Sequence, residues 1–181
     1  MPDWSIAGTL TVDKATDRED LLAEPVLAAL DRHGLRSRVG VVEIDPELAD
    51  TAEFCAAYSS PLGASANCVV VAGKRSGQVR YAAALVLATT RADVNSVIRR
   101  RLDVRKASFL GMDEAVALTG MAYGGITPIG LPPEWPVLLD SAVASAPELI
   151  IGSGTRSGKL LVTGEMLAEL PGTETVEGLG R

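Results

Sequence analysis

The sequence predicts an α+β fold with a mixed, mostly antiparallel central sheet flanked by helices. Three observations carry that reading. Strand-like and helix-like runs are interleaved without strict alternation, no internal repeat is visible, and NCVVVAG (67–73) leads through KRSG into the long apolar run QVRYAAALVLATT (78–90), as the two arms of a hairpin would. At 181 residues the chain fits one domain, 1–181, that can bury a sizeable core. A composition of 47% hydrophobic and 22% charged residues excludes a disordered chain.

The elements follow in order. DREDLLAEPVLAAL (17–30) sets Leu21, Leu22, Val26, Leu27 and Leu30 at helical spacing, with Pro25 as a bend and Gly34 as a stop. VGVVEID (39–45) reads as a strand. Asp50 and Glu53 form a capping-box-like start to the helix TAEFCAAYSS, closed by Pro61 and Gly63. The hairpin comes next and forms the centre of the sheet. DVNSVIRRRL (93–102) predicts a short helix begun by Asp93 or Asn95, and KASFL (106–110) a strand. MDEAVALTG (112–120) is a helix with acidic residues in its first turn and Gly120 at its end. After the loop YGGITPIGLPPEWP (123–136) come the strand PVLLD, the short helix SAVASAP, the strands ELIIGSG and KLLVTG, and the closing helix GEMLAEL.

The inventory of reactive side chains is thin. A Ser-His-Asp or Cys-His mechanism needs an imidazole, and the single histidine, His33, sits at a predicted helix end where it meets carbonyls. One His with Cys55 and Cys68 makes no usual zinc set, and the two cysteines read as reduced, packed thiols, so neither a metal nor another cofactor is expected. GSGTRSGKL (152–160) invites a phosphate-loop reading, but Ser153 and Leu160 stand where the pattern needs Gly and Ser or Thr. It remains a glycine turn with Arg156 and Lys159 able to meet an anion. Asp45, Asp140 and Glu148 lie on separate elements with nothing to pair them.

The net charge of −6 argues against general nucleic-acid binding, DNA included, yet Arg91, Arg99, Arg100, Arg101, Arg105 and Lys106 gather six of the seventeen basic residues in a short span. That cluster is either a solvated face or a phosphate-facing patch, with Arg99, Arg100 and Arg101 as the candidate phosphate contacts. The N-terminus lacks a secretory pattern and no apolar run is long enough for a membrane span, so a cytoplasmic protein is expected. The loop 123–136 holds three glycines and four prolines in fourteen residues, a segment stiff enough to hold a shape and to present main-chain groups.

The order of these motifs resembles the YbaK family, which includes the editing domain of bacterial prolyl-tRNA synthetases and free-standing aminoacyl-tRNA deacylases. The match runs from about Thr51 to Leu170, and residues 1–45 are more divergent. It rests on ALTG, then Gly-Gly-Ile-Thr-Pro-Ile-Gly, PVLLD, a short helix and GSGTRSG before a strand and a closing helix. The resemblance implies a YbaK-like fold and hydrolysis, in trans, of the ester joining a wrongly attached amino acid to the 3′ end of a tRNA. Gly124, Gly125, Ile126, Thr127 and Pro128 would shape the pocket and offer rigid amides to the ester carbonyl, each such donor being worth about 3 kcal/mol. Water or the substrate's own hydroxyl would supply the rest. Asn67, Asp140, Gly154, Thr155, Arg156 and Lys159 are the candidate substrate contacts, and the implied partners are mischarged tRNA and an aminoacyl-tRNA synthetase.

One departure stands out. Family members usually carry a lysine at the start of the central strand, and here Asn67 holds that place. Lys159 is expected to supply the cation from across the pocket. Asn67 itself is either a substrate contact or a strand-end residue bonded to neighbouring backbone. Thr127 contacts substrate or braces its loop, and Asp140 contacts substrate or caps the following helix. Val69, Val71 and Ile126 are candidates for an apolar lining. The alternatives to an editing enzyme are a catalytically weakened binding module of the same fold, left so by Asn67, and an interaction domain that docks on a synthetase.

Overall fold

β-Branched and alanine residues dominate two ten-residue stretches, and these become the longest strands in the computed structural model, which describes residues 2–181. Ala66–Arg75 (β3) and Gln78–Leu87 (β4) pair antiparallel from Ala66↔Leu87 to Arg75↔Gln78. The turn between them has positive φ at Ser76 (51°) and Gly77 (79°), the primed geometry whose twist matches that of the strands. β4 lies at the centre of a five-stranded sheet. Beyond β3 runs Ala107–Phe109 (β5), antiparallel, and beyond β4 run Val137–Asp140 (β6) and Thr173–Val176 (β9), both parallel.

A second, wholly antiparallel sheet has the order Asp13–Lys14 (β1), Gly40–Glu43 (β2), Gly158–Val162 (β8), Leu149–Gly152 (β7). A parallel bridge between Ser65 and Ile150 joins it to the first. The mostly antiparallel, mixed architecture is thus as the sequence predicts, but divided between two sheets. Strands β1 and β9 carry too few apolar residues to be read from sequence; they form because an edge is free beside them.

Helices cover the sheets. Glu24–Arg32 (α1) takes Pro25 into its first turn instead of bending there, since proline is favoured in a first turn, and Leu21 and Leu22 enter the core from the preceding turn. Thr51–Tyr58 (α2), Arg99–Leu102 (α3), Met112–Thr119 (α4), Ser141–Ala144 (α5) and Gly164–Glu169 (α6) fall where expected. A turn of π-helix, Val94–Ile98, precedes α3, and the Asp93 carboxylate accepts the Ser96 N–H at its start. The largest apolar cluster joins α1, β4, β6, β7 and β8 through Leu30, Leu85, Leu139, Leu149 and Leu160, all fully buried. Each such side chain contributes about 1.5–3 kcal/mol.

The N-terminal elements buttress the two glycine-rich segments from below. Ala23 donates its N–H to Ser153 O at 3.1 Å, the Thr155 hydroxyl donates to Leu21 O at 2.9 Å, and Gly130 lies directly against the Pro25 main chain. Among the described residues no helix is long and apolar enough to cross a membrane.

Candidate active site

The two glycine-rich segments, distant in sequence, are hydrogen-bonded to each other. Ala122 donates its N–H to Gly154 O and Gly154 donates its own to Gly125 O, both at 2.8 Å. The approach requires residues without side chains. A Cβ on Gly125 would lie 2.7 Å from the Thr155 carbonyl carbon, and one on Gly152 would lie 2.5 Å from Gly125 O. Arg156 straps the assembly, donating to Tyr123 O (3.2 Å) and to Pro46 O (3.0 Å).

Beside this junction opens a cavity of about 340 Å³, toward the small end of the range for ligand sites. Its walls come from six places: Ala49–Thr51 at the start of α2, Ala66–Val70 of β3, Phe109 and Leu110, Ala115 of α4, the loop residues Tyr123, Gly124 and Ile126, and Gly152 with Lys159 on neighbouring strands. The opening exists because β5 is short. It pairs with β3 only over Val71–Gly73, and Leu110 N–H adds one bond to Val70 O, so the rest of that edge has no strand beside it. Cys68, two residues from Val70, directs its N–H and C=O to the same open edge.

Polar groups of several kinds meet here. Lys159 is 8% exposed, its ammonium donating to Ala49 O at 2.8 Å and lying 5.3 Å from the centre of the Phe54 ring. Burial lowers its pKa from the ordinary lysine value; Arg156 pushes the same way, and Cys55 and Asp50 oppose. The Asp50 carboxylate is the N-terminal cap residue of α2 by position, yet its side chain accepts no capping bond. It faces the cavity instead. Asn67 Oδ1 accepts the Thr51 hydroxyl at 2.7 Å, which fixes the amide and leaves Nδ2 free to donate. The Cys68 thiol is pushed up to about 12 by burial, which keeps it protonated and without nucleophilic character at neutral pH. The N–H groups of Gly124 and Ile126 are bonded to no acceptor among the described residues.

Not every residue singled out by the sequence lines this cavity. Asn67, Gly124, Ile126 and Lys159 do, and so does Val69. Gly125, Gly154 and Thr155 hold the junction together from behind, with the Gly125 N–H given to Ala122 O. Thr127 is fully buried, and Val71 is core. Pro128 faces a separate hollow beside Ala29 and His33. Arg156 is occupied by main-chain carbonyls.

Of the two roles open to Asp140, the capping one is seen: its carboxylate accepts Ala142 N–H at 3.2 Å, capping α5, and Gly180 N–H at 3.0 Å, anchoring the C-terminal segment. Asp140→Ala is expected to lower stability by about 2–3 kcal/mol in denaturant titrations and to leave the activity of the folded fraction unchanged. Arg99, Arg100 and Arg101, the candidate phosphate contacts, have partners of their own. Arg101 pairs with Glu174, Arg99 and Arg100 bond back to Asn95 O and Ser96 O, and none of the three lines the cavity.

Sequence reasoning missed Asp50, Thr51, Phe109 and Tyr123. An aspartate before a helix reads as a cap by default, and only the absent cap bond reveals a free carboxylate.

The aminoacyl-tRNA editing domain family matches residues 45–170, most of the chain. A search of curated proteins gave no significant match. Among solved structures, a candidate trans-editing enzyme for prolyl-tRNA synthetase is 24% identical, with a TM-score of 0.71 over 84% of this chain and 93% of that one. The hypothetical protein APE2540 is 21% identical, with a TM-score of 0.73 over 87% of this chain and 100% of its own. A protein from a study grafting linear epitopes onto scaffolds is 25% identical, with a TM-score of 0.71 over 87% of this chain and 95% of that one. The structural likenesses show a common fold, and the sequence match over residues 45–170 establishes that the chain belongs to the aminoacyl-tRNA editing domain family.

Proposed function

We propose that the chain, acting as one unit over residues 1–181, is a deacylase that works in trans on mischarged tRNA, and therefore in the cytoplasm. It would cleave the ester between a wrongly attached amino acid and the terminal ribose. The observation that carries this reading is that one small cavity is lined together by Gly124 and Ile126, whose amides meet no acceptor among the described residues, by the buried ammonium of Lys159 and by Asp50, whose carboxylate makes no capping bond.

The roles follow from chemistry. As a nucleophile adds to the ester carbonyl, negative charge grows on its oxygen, and the N–H groups of Gly124 and Ile126 are fixed in advance to receive it. The nucleophile is water, with the neighbouring ribose hydroxyl able to relay its proton; as water's oxygen bonds to the carbonyl carbon, the bond from that carbon to the ribose oxygen breaks, the proton passes to the departing oxygen, and a free amino acid and a free ribose hydroxyl result. Asp50 and the Cys68 carbonyl are the acceptors suited to the α-ammonium group of the aminoacyl moiety. Lys159 and the Asn67 amide are donors for ribose oxygens, which answers the missing strand lysine with a cation from β8. A cavity of this size admits small side chains and excludes larger ones, which is how a second sieve selects.

The decisive measurement is deacylation of a panel of mischarged tRNAs. Turnover of one or more above the spontaneous rate is expected, with small amino acids removed faster than large ones. Tight binding without turnover across the panel would instead establish a binding module. A synthetase is the natural supplier of such substrates, and co-purification with one that depends on tRNA would support that association.

A further inference from the structure

The cavity does not end at its own rim. Asn67, Val69 and Phe109 also form one wall of a second, more open hollow of about 640 Å³ that continues from it along β3 and the turn before α3. Phe109 stands at the junction, 61% exposed, an unusual state for a phenylalanine beside a cavity. Arg91 and Lys106 line the far part of this groove. Both are exposed, and among the described residues neither makes an ion pair, in contrast to Arg75, Arg80 and Arg101, whose guanidiniums meet Asp103 or Glu174. The groove's one carboxylate, Asp93, is taken up by the Ser96 N–H and by Arg181 at 2.8 Å. What remains free is one aromatic face and two cations.

We infer that this groove binds the unpaired nucleotides immediately 5′ of the terminal adenosine, with a base stacked on Phe109 and phosphates met by Arg91 and Lys106. The inference rests on the tRNA reading proposed above and deepens it. Stacking on an exposed ring tolerates any base, and free cations spaced along a groove meet a backbone whatever its sequence. Continuity supplies direction: a strand whose 3′ end enters the cavity has the groove as its exit past Phe109. It also reassigns the basic cluster, since Arg91 and Lys106, at its two ends, face the groove while Arg99–Arg101 do not.

Two measurements test this. The first is binding of an uncharged single-stranded RNA hexamer ending in CCA, followed by fluorescence anisotropy against salt. Phe109→Leu is expected to weaken binding about tenfold, and the double variant Arg91→Ala/Lys106→Ala to reduce the salt slope by about 1.4, close to 0.7 per lost phosphate contact. Arg99→Ala/Arg100→Ala should change neither. The second compares deacylation of a mischarged tRNA with that of the matching 2′(3′)-O-aminoacyl-adenosine, which is too short to reach the groove. The Arg91/Lys106 double variant should lose at least tenfold in kcat/KM on the tRNA and nothing on the nucleoside ester.

Wild-type affinity and salt slope for the hexamer in the Phe109 and double variants would overturn the inference, as would equal losses on both esters. The two readings fail separately. Hexamer binding that depends on these residues with no deacylation keeps the groove and discards the enzyme; deacylation of both esters untouched by the variants does the reverse.

Discussion

Lys159→Met is expected to reduce deacylation by about 10²–10³-fold, the effect of removing one preorganised charge contact from a water-poor site, without lowering stability at neutral pH. The second half of that expectation is what separates a functional lysine from a structural one. Burial depresses the folded-state pKa of Lys159 below 10.5. The folded chain therefore binds fewer protons than the unfolded chain between the depressed value and 10.5, and linkage makes stability rise with pH through that window. Below the window both states carry the ammonium, and the folded state bears the full desolvation penalty. Methionine fills similar volume over the Phe54 ring and carries no charge, so the penalty and its pH dependence both vanish. Thermal unfolding at neutral pH and near pH 10, beside single-turnover deacylation, checks both halves. A variant markedly less stable than wild type at neutral pH, with activity falling only in proportion, would mean that Lys159 is a strut between Ala49 and Phe54.

Gly125→Ala is expected to damage both fold and activity. Its added Cβ would come against the main chain of Thr155, and the backbone cannot turn aside as a flexible side chain would. The two segments must separate, weakening the bonds from Ala122 to Gly154 and from Gly154 to Gly125 that set the cavity wall. Overpacking of this kind destabilises by about 1–3 kcal/mol, and a shift of about 1 Å in the donors costs about 10²-fold in rate. Gly152→Ala, which meets the same junction from the strand side, should behave alike. Gly63→Ala is the control, because a Cβ there meets nothing within 4 Å and its φ is not in the left-handed region. Denaturant midpoints and kcat for the three variants decide the matter. An active, wild-type-stable Gly125→Ala would show that the junction is not what shapes the site.

Local signals carried much of the fold into the sequence. The β3–β4 hairpin, the helix ended by Gly120 and the alternation after residue 136 were legible because each rests on short-range physics: β-branched runs, a left-handed cap, proline-limited ends. Pro25 was legible as punctuation but not as an entrance, because the same residue bends a helix interior and opens a helix start. Strands β1 and β9 were not legible, since their residues become strand only where a neighbouring edge offers hydrogen-bond partners.

The candidate site divides along the same line. By itself the sequence offered no histidine base at a plausible site and no usual metal-ligand set, its resemblance to an editing family pointed to rigid main-chain groups, and Lys159 stood out as the candidate cation. Only the tertiary structure decided which groups of the two glycine-rich segments already have partners. Gly154 gives its amide across to Gly125 O and Gly125 gives its own back to Ala122 O, while those of Gly124 and Ile126 meet no acceptor among the described residues; Asp140 turns inward to cap α5, and Asp50 turns outward into the cavity. The reason is that a polar group's availability depends on whether another part of the chain has already satisfied it, and that partner is commonly a hundred residues away.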